Sequence, residues 1–398
     1  MNEQAFANVR ILDFTHYLAG PVGTFQMALQ GADVIKVEPP AGEGMRSSSV
    51  TKEWAERGMG PVWMAANAGK RSIVVDIGKP EGVEVIKRLA ASADVVCENF
   101  RPGVMERLGV GWPQLAALNP RLIYCSVSGF GATGPDSREP AFDGKIQAMS
   151  GLMSMTGEPA QGPMRAGFAA ADMATGMMTA FALATALYQR THTGRGQFVD
   201  VSMLDTMLNL LSCQAAEVTV SGVRHPQLGN RSMSRKPTAD RFRCGDTYIV
   251  LAVMGDKQFE SLMRALGRED ALSDPRFLDW EGRTEHQAAL REIIEGAMTV
   301  GDSKAWEKRL KEADVPFGPV LSLAEILAHR QVAHRGLLQE AVTPHGPVTL
   351  VGPAFRMAHG NGAIGGTVAD LGEHTDVVLA EAGYDAQAIR ALHAQGII

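Results

Sequence analysis

The chain has 398 residues, with 38 basic and 44 acidic side chains, a formal charge of -6 and 45% apolar residues. That length holds roughly two or three domains with their own cores, and the small net charge excludes a general nucleic-acid or anionic-membrane binder while leaving room for a local basic pocket. Cys97, Cys125, Cys213 and Cys244 lie far apart, without a C-x-x-C pair or a Cys/His cluster, so no disulfide framework and no metal site is expected and a cytoplasmic location fits.

In chain order, Val9–Asp13 is strand-like, Thr24–Gln30 helix-like and Val34–Val37 strand-like, a β-α-β opening. The alternation continues with a strand at Ser72–Asp76, a helix at Pro80–Ala91 with proline in its first turn, and strands at Asp94–Cys97 and Leu122–Ser128. Strands and helices alternating at this spacing predict a doubly wound, mainly parallel sheet. Helical patterns follow at Lys145–Met155 and Asp172–Gln189, then a strand at Gln197–Val201 and a helix from Leu204 to about Ala216.

Ala166–Tyr188 is weakly charged, yet it contains Asp172, Gly176 and several threonines, so it is read as a buried helix and not a membrane span. The first ten residues carry Glu3 and lack the apolar core of a signal peptide. Residues 1–222 are expected to form a large domain, 223–244 a linker, 245–325 a smaller α+β domain, and 326–398 a C-terminal segment. Within the smaller domain Thr247–Val253 and Pro316–Val320 read as extended, Lys257–Leu266 and Gln287–Thr299 as amphipathic helices. Beyond it the chain is helical from Leu323, turns through Pro344, Gly346 and Pro353, and ends in helices at Thr375–Ala382 and Ala386–Gln395.

Gly129–Gly134 matches G-x-G-x-x-G after a strand, but Pro135 to Pro140 follow where a dinucleotide site needs a helix N-terminus to hold pyrophosphate. A nicotinamide or flavin site is not expected. Asp172 stands where a run of alanines enters a long apolar helix. It is either an N-cap or a carboxylate with room around it for a substrate carbonyl, able to act as a covalent nucleophile. Asp143 is a turn or cap residue, or a second site carboxylate. Lys36, Lys70, Arg71, Arg101 and Arg107 lie near expected C-terminal strand ends, where an anionic ligand of a doubly wound sheet would bind.

These residues also resemble the family III CoA-transferases, the CaiB/BaiF family, in VRILDFTHYLAGPVGTFQMALQGADVIKVEPP at 9–40, NAGKRSIVVD at 67–76, ENFRPGVMERLG at 98–109, PAFDGKIQAMSGLMSMTG at 140–157 and TGRGQFVDVSMLD at 193–205. Further matches are GDTYIVLAVMGDKQF at 245–259, DPRF at 274–277 and LGEHTDVVLAEAGY at 371–384. The resemblance implies a Rossmann-like large domain built from both chain ends, a smaller inserted domain, and two chains interlocked as a homodimer. It implies an enzyme that moves CoA from an acyl-CoA donor to a small carboxylic acid, with acyl-CoA as substrate and no tightly bound cofactor. Asp172 is then the nucleophile, through aspartyl anhydride and aspartyl-CoA thioester intermediates.

Positions similar to the family's CoA contacts are His16, Ala19, Asn67, Lys70, Asn99, Phe100 and Arg107, with Asp143 as a second acidic site residue. Two departures bear on specificity: Leu18 stands where formyl-CoA transferases carry Gln, and Asn230–Phe242 has no glycine where they have a glycine-rich loop. The 2-methylacyl-CoA racemases, the alternative activity, place a His where this chain has Phe142, and racemisation needs two bases. A non-catalytic acyl-CoA-binding protein is the remaining alternative.

Overall fold

A computed structural model describes residues 3–398; the first two residues of the expected 1–222 domain, and of the segment read for a signal peptide, lie outside the described residues. Six strands, β1 (Arg10–Asp13), β2 (Asp33–Glu38), β3 (Arg71–Val74), β4 (Val95–Glu98), β5 (Ile123–Ser128) and β6 (Gln197–Ser202), form one sheet in the order β3-β2-β1-β4-β5-β6. Every pairing is parallel. The strand order reverses between β1 and β4, the switch point outside which ligands of such sheets sit.

Both faces of the sheet are covered because consecutive side chains of a strand point opposite ways. Leu12, Ile35, Val96 and Tyr124 face one core with Val85, Ile86 and Leu89 of the helix Pro80–Ala90 and with Val378, Leu379 and Ile389 near the C-terminus. Their neighbours Ile11, Val34, Val95 and Ile123 face the other, closed by the helices Ala19–Leu29, Ala170–Thr193 and Met203–Leu210.

The chain up to Leu152, Ala166–Val223 and Arg330–Ile398 make one compact unit; Met153–Arg165 and Arg224–His329 make another. The sequence reading has a linker over 223–244, but the second unit takes in nearly all of it, ending in β7 (Arg241–Cys244). β7 pairs antiparallel with β8 (Thr247–Leu251), which pairs antiparallel with β9 (Phe317–Pro319). Phe242, Ile249 and Leu251 pack there with Phe259, Leu262, Leu290, Ile294 and Leu310 from flanking helices.

Three local features differ from the sequence pattern. The helix expected over 145–155 is two, Asp143–Met149 and Leu152–Met155, broken at Gly151, whose φ of +90° ends a helix. The turns at Pro344 and Gly346 belong to a hairpin, β10 (Leu338–Thr343) with β11 (Gly346–Val351). The helix Ala170–Thr193 is buried on one face only: Ala171, Thr175, Thr179, Leu183 and Leu187 point inward, while Met177, Phe181 and Tyr188 are 48%, 68% and 67% exposed.

Candidate active site

At the end of β1 the Asp13 carboxylate is closed off from solvent. It accepts from the Thr15 amide and hydroxyl, from Thr24 Oγ1 at 2.8 Å and from Lys70 Nζ at 2.8 Å. Burial alone would raise its pKa, but Lys70 and Lys36 outweigh that and hold the carboxyl far below the usual carboxylate range. Lys70 Nζ also donates to Asn67 Oδ1 at 2.9 Å, to Thr24 Oγ1 at 2.8 Å and to the Pro21 carbonyl at 3.0 Å.

Lys36 pairs with Glu43 at 2.7 Å, and the other Glu43 oxygen accepts from the Tyr17 amide at 2.9 Å. Tyr17 has a φ of +62°, a costly conformation for a non-glycine residue that these interior charges hold in place. The strained residue turns the chain into the helix Ala19–Leu29.

His16 reaches the switch point. Its amide donates to Asn99 Oδ1 at 2.7 Å, and Asn99 Nδ2 donates back to the His16 carbonyl at 2.8 Å, tying the end of β1 to the end of β4. The imidazole meets the Phe100 ring edge-on at 4.8 Å. Burial and nearby Lys36 lower its pKa, so the ring is neutral at pH 7.

Asp172 occupies the first turn of the helix Ala170–Thr193, where apolar burial and the negative Asp143 raise its pKa to about 6. Asp143 Oδ1 accepts from the amides of Ala171 at 2.8 Å and Asp172 at 3.4 Å. Thus Asp143, not Asp172, caps that helix. Gln147 holds the cap: its Nε2 donates to Asp143 Oδ2 at 2.7 Å, and its Oε1 accepts from the Ala166 amide at 2.9 Å. Among the described residues no cation stands beside the Asp172 carboxylate, which lies on a helix whose N-terminal dipole favours negative charge.

Glycines draw these elements together. A Cβ at Gly176 would lie 2.5 Å from Val22 Cγ1, and one at Gly23 would lie 2.7 Å from Thr179. The start of the helix Ala19–Leu29 therefore packs one turn from Asp172. Tyr17 meets Phe142 edge-on at 6.5 Å, joining the loop after β1 to the residue before Asp143. A cleft of about 110 Å³ opens beside them, lined by Asn99, Phe100, Arg101, Ser128, Gly129 and Phe142.

Residues 6–375 match the model of CoA-transferase family III. The chain belongs to that family. A succinyl-CoA:glutarate CoA-transferase of Mus musculus is 33% identical over 393 residues, covering 98% of this chain and 89% of the relative. A succinate–glutarate CoA-transferase of Agrobacterium fabrum is 36% identical over 356 residues, covering 86% of each. Among solved structures, a CaiB/BaiF family protein from Brucella suis is 33% identical with a TM-score of 0.87, covering 96% of this chain and 100% of that one. The protein is a CoA-transferase, an enzyme that transfers CoA between carboxylic acids, with CoA thioesters as substrates.

Within this CoA-transferase, the residues that sequence singled out divide into three groups. His16, Asn99 and Phe100 meet at the switch point and adjoin the cleft, while Ala19 opens the neighbouring helix. Asp172 and Asp143 share the start of the long helix. Asn67 and Lys70 are interior instead, 1% and 3% exposed, and the Lys70 ammonium is spent on Asp13, Thr24, Asn67 and Pro21. The structure thus corrects the expectation that the Lys70 ammonium faces an anionic ligand: it positions the loop that carries His16.

Lys36 is interior too, and Arg71 pairs with Asp33 and Glu381, which leaves Arg101 and Arg107 as the exposed cations of the expected basic cluster. The G-x-G-x-x-G segment is a loop fixed by Ser128 to the Gly131 amide at 3.0 Å and by Asp200 to the Ala132 amide at 2.9 Å, and it opens no helix. Sequence reasoning missed Gln147, Glu43 and Gly176. Gln147 is four residues after Asp143, a spacing that places both on one helix face and was the signal available.

Proposed function

We propose that the protein moves CoA from an acyl-CoA donor to a small dicarboxylic acid through Asp172. An Asp172 oxygen attacks the thioester carbonyl carbon, the C–S bond breaks, and CoA thiolate leaves an aspartyl-acyl anhydride. The thiolate then attacks the aspartyl carbonyl, giving an aspartyl-CoA thioester and the free donor acid. The acceptor carboxylate attacks that carbonyl in turn, and the released thiolate takes the new acyl group, restoring the Asp172 carboxylate. Each step exchanges one carboxylate or thiolate for another, so one difficult transfer becomes several easier ones.

The observation that carries the reading is a carboxylate raised to about 6 at the start of a helix beside the sheet's switch point, with no cation among the described residues to neutralise it. Such a group is mostly ionised at pH 7 yet more basic than an ordinary Asp. The dicarboxylate class is supported by relatives named for succinate and glutarate. His16, Ala19, Asn99 and Phe100 are assigned to the CoA chain, Arg107 to its phosphates, and Asp143 to positioning Asp172; no tightly bound cofactor and no metal enters the scheme.

Two chains are taken to interlock as a homodimer, a reading supported by exposed apolar side chains on consecutive helices, Met177, Phe181, Tyr188, Leu210 and Val220 among them. A cytoplasmic location is supported by four free cysteines, three of them buried.

The test is CoA exchange between succinyl-CoA and labelled glutarate. The scheme predicts exchange that needs the acceptor and is lost in Asp172→Ala. Deuterium uptake at the 2-position of a methylacyl-CoA without any acceptor, with no exchange, would contradict it in favour of the racemase.

A further inference from the structure

The smaller unit holds a cavity of about 430 Å³ lined by none of the residues assigned above, with Glu158, Asn230, Arg231, Asp240, Arg241 and Arg291 among its walls. That volume lies within the range of about 300–1,000 Å³ usual for small-molecule sites. Its charges fall into two classes. Arg291 is neutralised: it pairs with the buried Asp240 and with Glu295, and it donates to the Arg241 carbonyl at 3.0 Å.

Among the described residues, Arg231 and Arg241 have no carboxylate partner. Arg231 Nη1 donates only to the amide oxygen of Gln287 at 2.9 Å, and the Arg241 guanidinium lies over the Tyr248 ring at 4.5 Å. Both contacts orient a planar fork without consuming its charge. The wall also carries two acidic residues: Asp240, which is paired with Arg291, and Glu158, placed beside Asn230 Nδ2 at 3.4 Å.

The walls are built, not loose. Gln227 Nε2 donates to the carbonyls of Thr156 and Gly162, each at 2.7 Å, and the Gly229 amide donates to the Gly157 carbonyl at 3.0 Å. These bonds fasten the 153–165 excursion to the 224–231 segment and so hold Glu158 beside Asn230. On the third side, the Ala288 end of the helix Gln287–Met298 has no acidic residue in its first turn.

We propose that this cavity is a binding site for a small dicarboxylate, its two carboxylate groups held by Arg231 and Arg241. Guanidinium forks match carboxylates two bonds at a time, and two unneutralised forks in one cavity match two such groups. The inference rests on the proposed activity only for the choice of succinate as probe; binding here is independent of turnover.

The experiment is isothermal titration of the full-length protein with succinate, with propionate and inorganic phosphate as comparison ligands. Arg231→Gln combined with Arg241→Gln should weaken succinate binding at least about tenfold, propionate should bind at least about tenfold more weakly than succinate, and Glu158→Gln should tighten succinate binding about threefold. If the double variant is thermally destabilised, Arg231→Gln alone serves, because that side chain holds only Gln287. A succinate isotherm unchanged by these substitutions, absent in the parent protein, or matched by phosphate would overturn the proposal. Failure of CoA exchange with these isotherms intact would strike the proposed activity and leave this site standing.

Discussion

Asp13 and Asp172 make an instructive pair: two aspartates of the same unit, both beside the helix Ala19–Leu29, with opposite fates. Asp13 is sealed inside with Lys70 and Lys36 and is held ionised far below the usual carboxylate range. Asp172 has no cation beside it among the described residues, stands near Asp143, and is raised to about 6. Pairing makes a carboxylate a strut; leaving it unpaired in a partly apolar site makes it basic and available. One Asp builds the loop, and the other is presented by the neighbouring helix.

The comparison breaks most sharply at Asp172. Asp172→Ala should lower CoA exchange by at least about 10³-fold while CoA binding, measured by titration, persists. On the structural side, Lys70→Ala leaves Asp13 as an unpaired buried charge and should cost about 3–5 kcal/mol of stability, read in chemical denaturation. Lys70→Arg would not rescue it, since four acceptors are fitted to one ammonium.

Gly176→Val drives a side chain into Val22 and the Ala19 carbonyl, and should cost about 1–3 kcal/mol while depressing activity further than the stability loss explains.

The electrostatic part is finer. Asp172 attacks as the carboxylate, so the rate should rise with pH through about 6. Asp143→Asn removes the neighbouring negative charge while keeping an oxygen for the Ala171 amide, so the profile should move to lower pH. A profile that stays in place would mean that burial alone sets the shift. Because the folded-state pKa of Asp172 is raised, its ionisation costs stability as pH rises from the ordinary aspartate value of 3.8 through about 6. Asp172→Asn should therefore be more stable than the parent at pH 7, by about 1 kcal/mol after discounting for solvent, and equal to it near pH 3. Thermal melts at the two pH values read this smallest effect.

Much of the large unit was legible because its physics is local. The β-α-β alternation, proline at the start of Pro80–Ala90 and the apolar runs of β1, β2, β4 and β5 locate the parallel sheet from periodicity alone. Asp172 was legible as an isolated charge entering an apolar helix: the residue pattern alone left cap and nucleophile open, the family resemblance favoured the nucleophile, and in the structure Asp143 does the capping.

The excursion of Met153–Arg165 into the smaller unit was not legible. It depends on Gln227 meeting carbonyls 65 and 71 residues away, and single-residue patterns do not report such pairings. Likewise a lysine near a strand end reads the same whether it faces solvent or, like Lys70, an interior aspartate 57 residues earlier. The hairpin β10–β11 was hidden by reading Pro344 and Gly346 only as turns.

The most direct measurement is peptide mass spectrometry after incubating the protein with succinyl-CoA and trapping with hydroxylamine. The account predicts a hydroxamate confined to Asp172 that appears only with the thioester and is absent from Asp172→Asn. A trapped adduct at Asp143 or elsewhere, or none while labelled glutarate is still converted to its CoA ester, would contradict covalent transfer through Asp172.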